Sequence, residues 1–187
     1  MSCKVKVWTK QHKDILRELD KLGRYIVKKE YIINKMEDHS DLYLKSYNWY
    51  KNIASEIVPV PNDVNFPIWV SVTEDSKIPN SEGNVLIEIE IDKDKLITMD
   101  LDKWGYIVNY MYIHSDENDR IEHDKLLKSY GIDDCQAYIS NFYPNIKKKI
   151  IKSWDRLFDE NIKLSDAKVG TLWEIKREWI TNITEDF

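Results

Sequence analysis

The sequence predicts an α+β fold, a small and mainly antiparallel sheet with helices packed on it, in one domain covering residues 1–187. Three observations lead there. Residues Asn84 to Asp92 alternate strictly, with Val85, Ile87, Ile89 and Ile91 on one face and Glu88, Glu90 and Asp92 on the other. That is the pattern of a half-buried strand with one wet side. Stretches around Ile15–Leu22 and Leu101–Met111 instead place apolar residues at helical spacing, as amphipathic helices do. Finally, 42% hydrophobic and 33% charged residues in a 187-residue chain suit one globular core rather than disorder or a membrane bundle.

The elements follow in order. Val5 and Val7 alternate within Lys4 to Trp8, a first strand. Thr9 is the candidate cap of the next helix, because a hydroxyl can accept an orphan backbone N–H. Ile15, Leu16, Leu19 and Leu22 form that helix's apolar face, and Gly23 closes it. Arg24 to Lys28 reads as extended. A second helix runs from about Asp41 to Ile57, capped by Ser40 or Asp41, with Tyr43, Tyr47, Tyr50, Ala54 and Ile57 as its stripe. Pro59 and Pro61 then impose a loop from Val58 to Phe66.

Pro67–Thr73 and Asn84–Asp92 are strands joined by a long turn-rich connection, and Leu96–Met99 is a shorter strand. Asp100 caps a helix carrying Leu101, Trp104, Val108 and Met111. The polar run Ser115–Asp124 forms a loop and the start of a helix that ends near Gly131, and its acidic part Asp116–Arg120 reads as solvated. Further helices cover Asp133–Asn141 and Asn145 to about Phe158. For Thr171–Ile183 both readings stand: Leu172, Ile175, Trp179 and Ile183 suit a helix, while Thr171–Ile175 also suits a strand.

Composition excludes several functions. The net charge of −5, from 28 basic and 33 acidic residues, gives no bulk attraction to nucleic acid. No apolar run approaches the ~20 residues of a membrane span, and the opening residues lack an apolar signal core. Two cysteines, Cys3 and Cys135, make neither a disulfide framework nor a cysteine-rich zinc site. A cytoplasmic location is the expectation. Five isolated glycines build neither a Walker loop nor a dinucleotide fingerprint.

The candidate chemistry is sparse. His12, His39, His114 and His123 are scattered, and no zincin spacing occurs. Asp116–Asp119 resembles a calcium loop, but Arg120 and Ile121 replace the oxygen ligand and the glycine it needs. Cys135 reads as a small buried hydrophobe. Lys147, Lys148, Lys149 and Lys152 fall opposite the stripe Ile146, Ile150, Trp154, a solvated face able to meet phosphates only if binding proves salt-sensitive. Glu88 and Glu90 share the wet side of a strand. Glu174 lies among Leu172, Trp173 and Ile175, where an inward-facing carboxylate acquires an unusual pKa or a specific partner.

Two resemblances add to this. Lys6–Gln11, Phe66–Trp69, Val85–Ile91 with Met99-Asp100, Trp104, Ser153-Trp154 with Phe158, and Leu172–Ile175 together resemble the bacterial family of unknown function DUF3841, over essentially the whole chain. The order of elements, with Trp8-Thr9 ending a strand and Gly23 closing a helix, is similar to the opening of small bacterial ADP-ribosyltransferases. Those enzymes hold NAD in a cleft of a split sheet without a glycine-rich loop. The resemblance implies that Thr9 and Gln11 contact the nucleotide, Trp69 packs on nicotinamide, and Glu174 is catalytic. A carboxylate there would stabilise the cationic ribose that forms as the glycosidic bond breaks. That family's usual Arg or His on the first strand is replaced here by Trp8 and Thr9. Two functional classes follow: an NAD-dependent ADP-ribosyltransferase-like enzyme, or a non-catalytic binding protein whose surface aromatics contact a protein or nucleic-acid partner.

Overall fold

The computed structural model describes residues 3–36 and 40–185. His39 lies outside the described residues, and so do the side chains of Ser40 and Asp41. The described elements are β1 (Lys4–His12), α1 (Ile15–Leu22), β2 (Arg24–Tyr25), α2 (Lys29–Met36), α3 (Ser40–Ala54), β3 (Ile68–Ser71), β4 (Asn84–Asp92) and β5 (Ile97–Asp100). They continue with α4 (Leu101–Val108), α5 (Glu117–Tyr130), α6 (Asp134–Ile139), α7 (Pro144–Ser153), β6 (Lys168–Leu172), β7 (Ile175–Lys176) and β8 (Ile180–Glu185). The class is α+β, an antiparallel sheet with helices packed on it. The chain forms two compact units, one running to Thr98 and resuming at Lys168, the other Met99–Ala167. No described helix is long and apolar enough to cross a membrane.

The first unit is built on a sheet in the order β5-β6-β3-β1-β4-β8, beside a short β2-β7 pair. β1 pairs with β4 through Val7↔Ile89 and Thr9↔Ile87, and with β3 through Trp8↔Ser71. Because side chains alternate across a pleat, these registers put Val7, Ile68, Val70, Ile87, Ile89 and Leu172 together. With Ile15 and Leu19 of α1 they form one buried core. The other face carries Trp69 and Thr171, which pair across β3 and β6, and α3 covers them through Tyr50.

Several local expectations change. β1 continues through His12, so Thr9 is a strand residue rather than a helix cap, and Asp14 occupies the start of α1. The long partner β4 extends it, since the register runs unbroken to His12↔Asn84. α2 was not legible, because its weak amphipathic pattern follows an extended segment. α3 stops at Ala54, and Ile57 is exposed. The tail takes the strand reading: Ile68↔Leu172 and Ile87↔Ile183 fix it in the sheet.

In the second unit Asp100 caps α4, accepting from the N–H of Asp102 at 2.9 Å and of Lys103 at 3.3 Å. Of the expected stripe Trp104 is buried, Val108 is half-buried, and Leu101 and Met111 are exposed, while Ile107 takes the buried position instead; the helix ends at Val108 before Met111 can join it. Gly131 ends α5 at φ 66°, the left-handed conformation glycine adopts without cost. Pro144 opens α7 at its first turn, where no N–H is missed. Ile146, Ile150 and Trp154 are buried, so the lysine face points outward as the spacing predicts.

Gly170, in β6, has no room for a side chain. A Cβ there would lie 2.7 Å from Val72 Cγ1, 2.8 Å from Leu96 Cδ1 and 2.9 Å from Val70 Cγ2. Gly170→Ala should therefore lower stability by roughly 1–3 kcal/mol, read as a lower urea midpoint with unchanged circular dichroism. An unchanged midpoint would mean that this part of the sheet yields freely.

Candidate functional site

Thr9, Gln11 and Trp69 meet in one hydrogen-bonded chain. Gln11 Nε2 donates to Thr9 Oγ1 at 2.8 Å, and Thr9 Oγ1 donates to the Trp69 carbonyl at 2.8 Å. Thr9 is only 3% exposed, and its one hydroxyl proton is committed to the backbone. The Trp69 indole N–H donates to Tyr47 Oη at 3.1 Å, and its ring lies 5.8 Å from that of Tyr50. By the strand registers, Thr9 faces the α1 side of the sheet and Trp69 the α3 side.

Glu174 sits in the bend between β6 and β7 and pairs with Arg24 of β2, which also grips Asp63 at 2.8 Å. Lys176 stands 3.8 Å away. The carboxylate lines a cleft with Pro59, Pro61, Trp173 and Trp179, of about 100 Å³. That is well below the ~300–1,000 Å³ of pockets that enclose cofactor-sized ligands. The Trp173 indole is fixed by the Val58 carbonyl at 2.9 Å.

The other carboxylates are structural. Glu88 accepts from Lys6 at 2.9 Å, from Thr181 at 2.8 Å and from the Trp8 indole at 3.1 Å. Led by Lys6, those donors hold it at about 2. Cys135 is exposed rather than buried. Partial burial, with Asp133 and Asp134 nearby, pushes its thiol pKa up, the wrong direction for a nucleophile.

A polar network in the second unit was not legible in the sequence. Tyr112 Oη donates to Asp119 Oδ1 at 2.8 Å, and Arg156 Nη1 reaches Asp119 Oδ2 at 2.8 Å. The Tyr112 ring stacks on His123 at 4.0 Å. His123 Nε2 lies 2.7 Å from Asp134 Oδ1, while Asp134 Oδ2 accepts from the Tyr112 N–H at 3.0 Å. Asp119 thus departs from the solvated acidic loop expected of Asp116–Arg120: α5 begins at Glu117, with Asp116 as its cap, and turns Asp119 inward. The Asp116-x-x-Asp119 spacing was the one available signal, since it marks a helix start.

Exposed apolar side chains occur at and within the loop before α7 and at the end of α5. Phe142 is 89% exposed, Tyr130 56% and Ile139 53%. Tyr143 packs edge-on against Tyr130 at 5.7 Å, joining the tip of the loop before α7 to the end of α5. Lys147, Lys148 and Lys152 line a shallow groove along α7 that starts at Pro144.

Among the described residues, no group of three or more His, Cys, Asp or Glu is placed to hold a metal ion. The family described as a domain of unknown function, DUF3841, matches residues 6–181. No curated protein and no solved structure matches the chain.

Asp119 yields a pH prediction. Burial alone would raise its pKa, but the Ser115 N–H, the Tyr112 hydroxyl and the Arg156 guanidinium outweigh it and bring the carboxyl from 3.8 down to about 2. A depressed folded pKa stabilises the fold above the unfolded value, and that contribution disappears as pH falls from about 4 to 2. Asp119→Asn should cost roughly 2 kcal/mol at neutral pH, and the gap to the parent chain should close towards pH ~2. Denaturation curves that stay equally separated across that range would contradict the assignment.

Proposed function

The chain belongs to the DUF3841 family, whose name carries no activity, and we propose that it is a non-catalytic binding protein contacting its partner through surface aromatics. One observation carries this reading: the exposure of Phe142, Tyr130 and Ile139 around the loop before α7, where Tyr143 packs on Tyr130. Single exposed apolar residues are ordinary, but several near one loop, with a nearly bare phenyl ring among them, favour an interaction surface. The internal commitments of Thr9 and Trp69 agree with it, because neither is held open for a cofactor. A cytoplasmic location belongs to the same reading, and the two free, exposed cysteines suit a reducing compartment.

A second reading is favoured by the cleft at Glu174. An NAD-dependent ADP-ribosyltransferase-like enzyme with a split sheet would use Glu174 to orient the acceptor or a ribose hydroxyl, Thr9 and Gln11 to contact the nucleotide, and Trp69 to pack on nicotinamide. A carboxylate held by Arg24 between Trp173 and Trp179 supports that role. The small volume of the cleft and the proton already given up by Thr9 weigh against it.

Two measurements separate these readings. Millimolar NAD should leave Tm unchanged, whereas a bound cofactor would raise it by mass action. A photo-reactive benzoylphenylalanine placed at Phe142 should form adducts in cell extract that the same group at exposed Lys45 does not, and Tyr130→Ser should diminish them. Equal labelling at both positions, or a clear rise in Tm with NAD, would overturn the binding reading.

A further inference from the structure

We infer that α7 and the loop before it form a binding surface for single-stranded nucleic acid, an inference that rests on the binding reading and names its partner. The sequence from Tyr143 to Trp154 holds four lysines and no acidic residue, in a chain of net charge −5. Basic charge is therefore concentrated on one helix. α7 buries Ile146, Ile150 and Ser153, which leaves Lys147, Lys148, Lys149 and Lys152 to line two grooves along its sides. The first, of about 440 Å³, runs from Pro144 past Lys147, Lys148 and Ile151 to Lys152 and Asp155. The second, of about 410 Å³, is bounded by Tyr112, Lys149, Lys152, Ser153, Asp155 and Arg156, so each groove sets three cations against the one carboxylate of Asp155. Two ammonium groups are pre-positioned on aromatic rings, Lys147 over Tyr138 and Lys149 over Tyr112, each at 4.8 Å.

The exposed aromatic side chains stand at the amino-terminal end of this row. Phe142 is two residues before Pro144 and 89% exposed, so both faces of its ring are open to a flat partner. A groove of cations that follows a phosphate backbone, beginning beside a ring on which a base can stack, is the arrangement that binds single strands without reading sequence. A duplex offers no free base face to that ring. An anionic bilayer is disfavoured, because Ile151 and Pro144 are the apolar side chains of α7 that line the lysine groove, too few to sink a helix into the interface. An acidic peptide would use the lysines but leave the phenyl ring idle.

The test is fluorescence anisotropy of the purified full chain with a labelled oligothymidylate and with a duplex of equal length. The single strand should bind more tightly, and its log affinity should fall with log salt at a slope of about −2 to −3, as three or four phosphate contacts require. Lys148→Glu with Lys152→Glu should abolish binding, and Phe142→Ser should weaken it roughly tenfold or more. Lys45→Glu should have no effect. All variants should keep the parent Tm, since these side chains are exposed. No binding at low salt, tighter binding of the duplex, equal loss with Lys45→Glu, or preference for polyglutamate or phosphatidylserine vesicles would overturn the inference. Selective cross-linking at Phe142 without oligonucleotide binding would overturn it and leave the broader binding reading standing. Loss of both would remove both.

Discussion

The second unit depends on a single buried carboxylate. Asp100 is 3% exposed, and it accepts from the N–H groups of Asp102, Lys103, Leu164 and Ser165 as well as the Ser165 hydroxyl. It therefore starts α4 and clasps the far end of the same unit. Burial would raise its pKa, but the backbone donors prevail and keep it below the ordinary carboxylate range, so the charge that organises those donors persists at neutral pH. Next to it, buried Lys103 donates to the carbonyls of Arg156 and Asp159 at 2.9 and 2.7 Å, ending the turn that follows α7. Hydrogen bonds to charged groups are each worth about 1.5–3 kcal/mol, yet desolvating the ions costs several kcal/mol. The larger consequence is specificity of placement: α7 is held with Ile146 and Ile150 inward and Lys148 and Lys152 outward.

The aromatic side chains divide by their polar tips. The indole N–H groups of Trp8, Trp69, Trp154 and Trp173 each find an internal acceptor, in Glu88, Tyr47, the Met111 carbonyl and the Val58 carbonyl. Buried tryptophan needs such a partner, and the fold supplies it. Tyr110 shows what packing can override: it ends α4 at φ 59°, a left-handed conformation unfavourable to a non-glycine residue, and stacks on Tyr138 at 4.6 Å. Phe142 is the exception on all counts, having no polar tip and almost no packing. A residue that contributes so little to the fold is free to serve a partner.

The sequence made the regular parts legible and the long-range parts not. β4 was readable because its alternation is strict, and Asp100 because a capping carboxylate precedes an apolar period. The outward lysine face of α7 followed from the spacing of Ile146, Ile150 and Trp154. Thr9 was misread as a cap because strand length in β1 is set by its partner β4, which local sequence does not express. The tail stayed ambiguous for the same reason, since pairing of β6 with β3 decides it. Residues singled out by resemblance, Thr9, Gln11 and Trp69, are joined through one hydroxyl, whereas Glu174 is held separately by Arg24. The network of Tyr112, Asp119, His123, Asp134 and Arg156 spans α5, α6, the segment after α4 and the turn after α7, and nothing in one dimension announces it. Exposure of Phe142 is likewise a property of the folded surface, invisible in a residue type that is normally buried.

The proposed function rests on α7 of the second unit and not on the carboxylate cleft of the first. Amide chemical shifts of the isotopically labelled chain, followed during titration first with a short oligothymidylate and then with NAD, address that placement most directly. The account predicts shifts grouped at residues 139–152 with the oligonucleotide and none with NAD. Shifts grouped around Glu174, Trp173 and Trp179 on adding NAD, with residues 139–152 silent throughout, would contradict it.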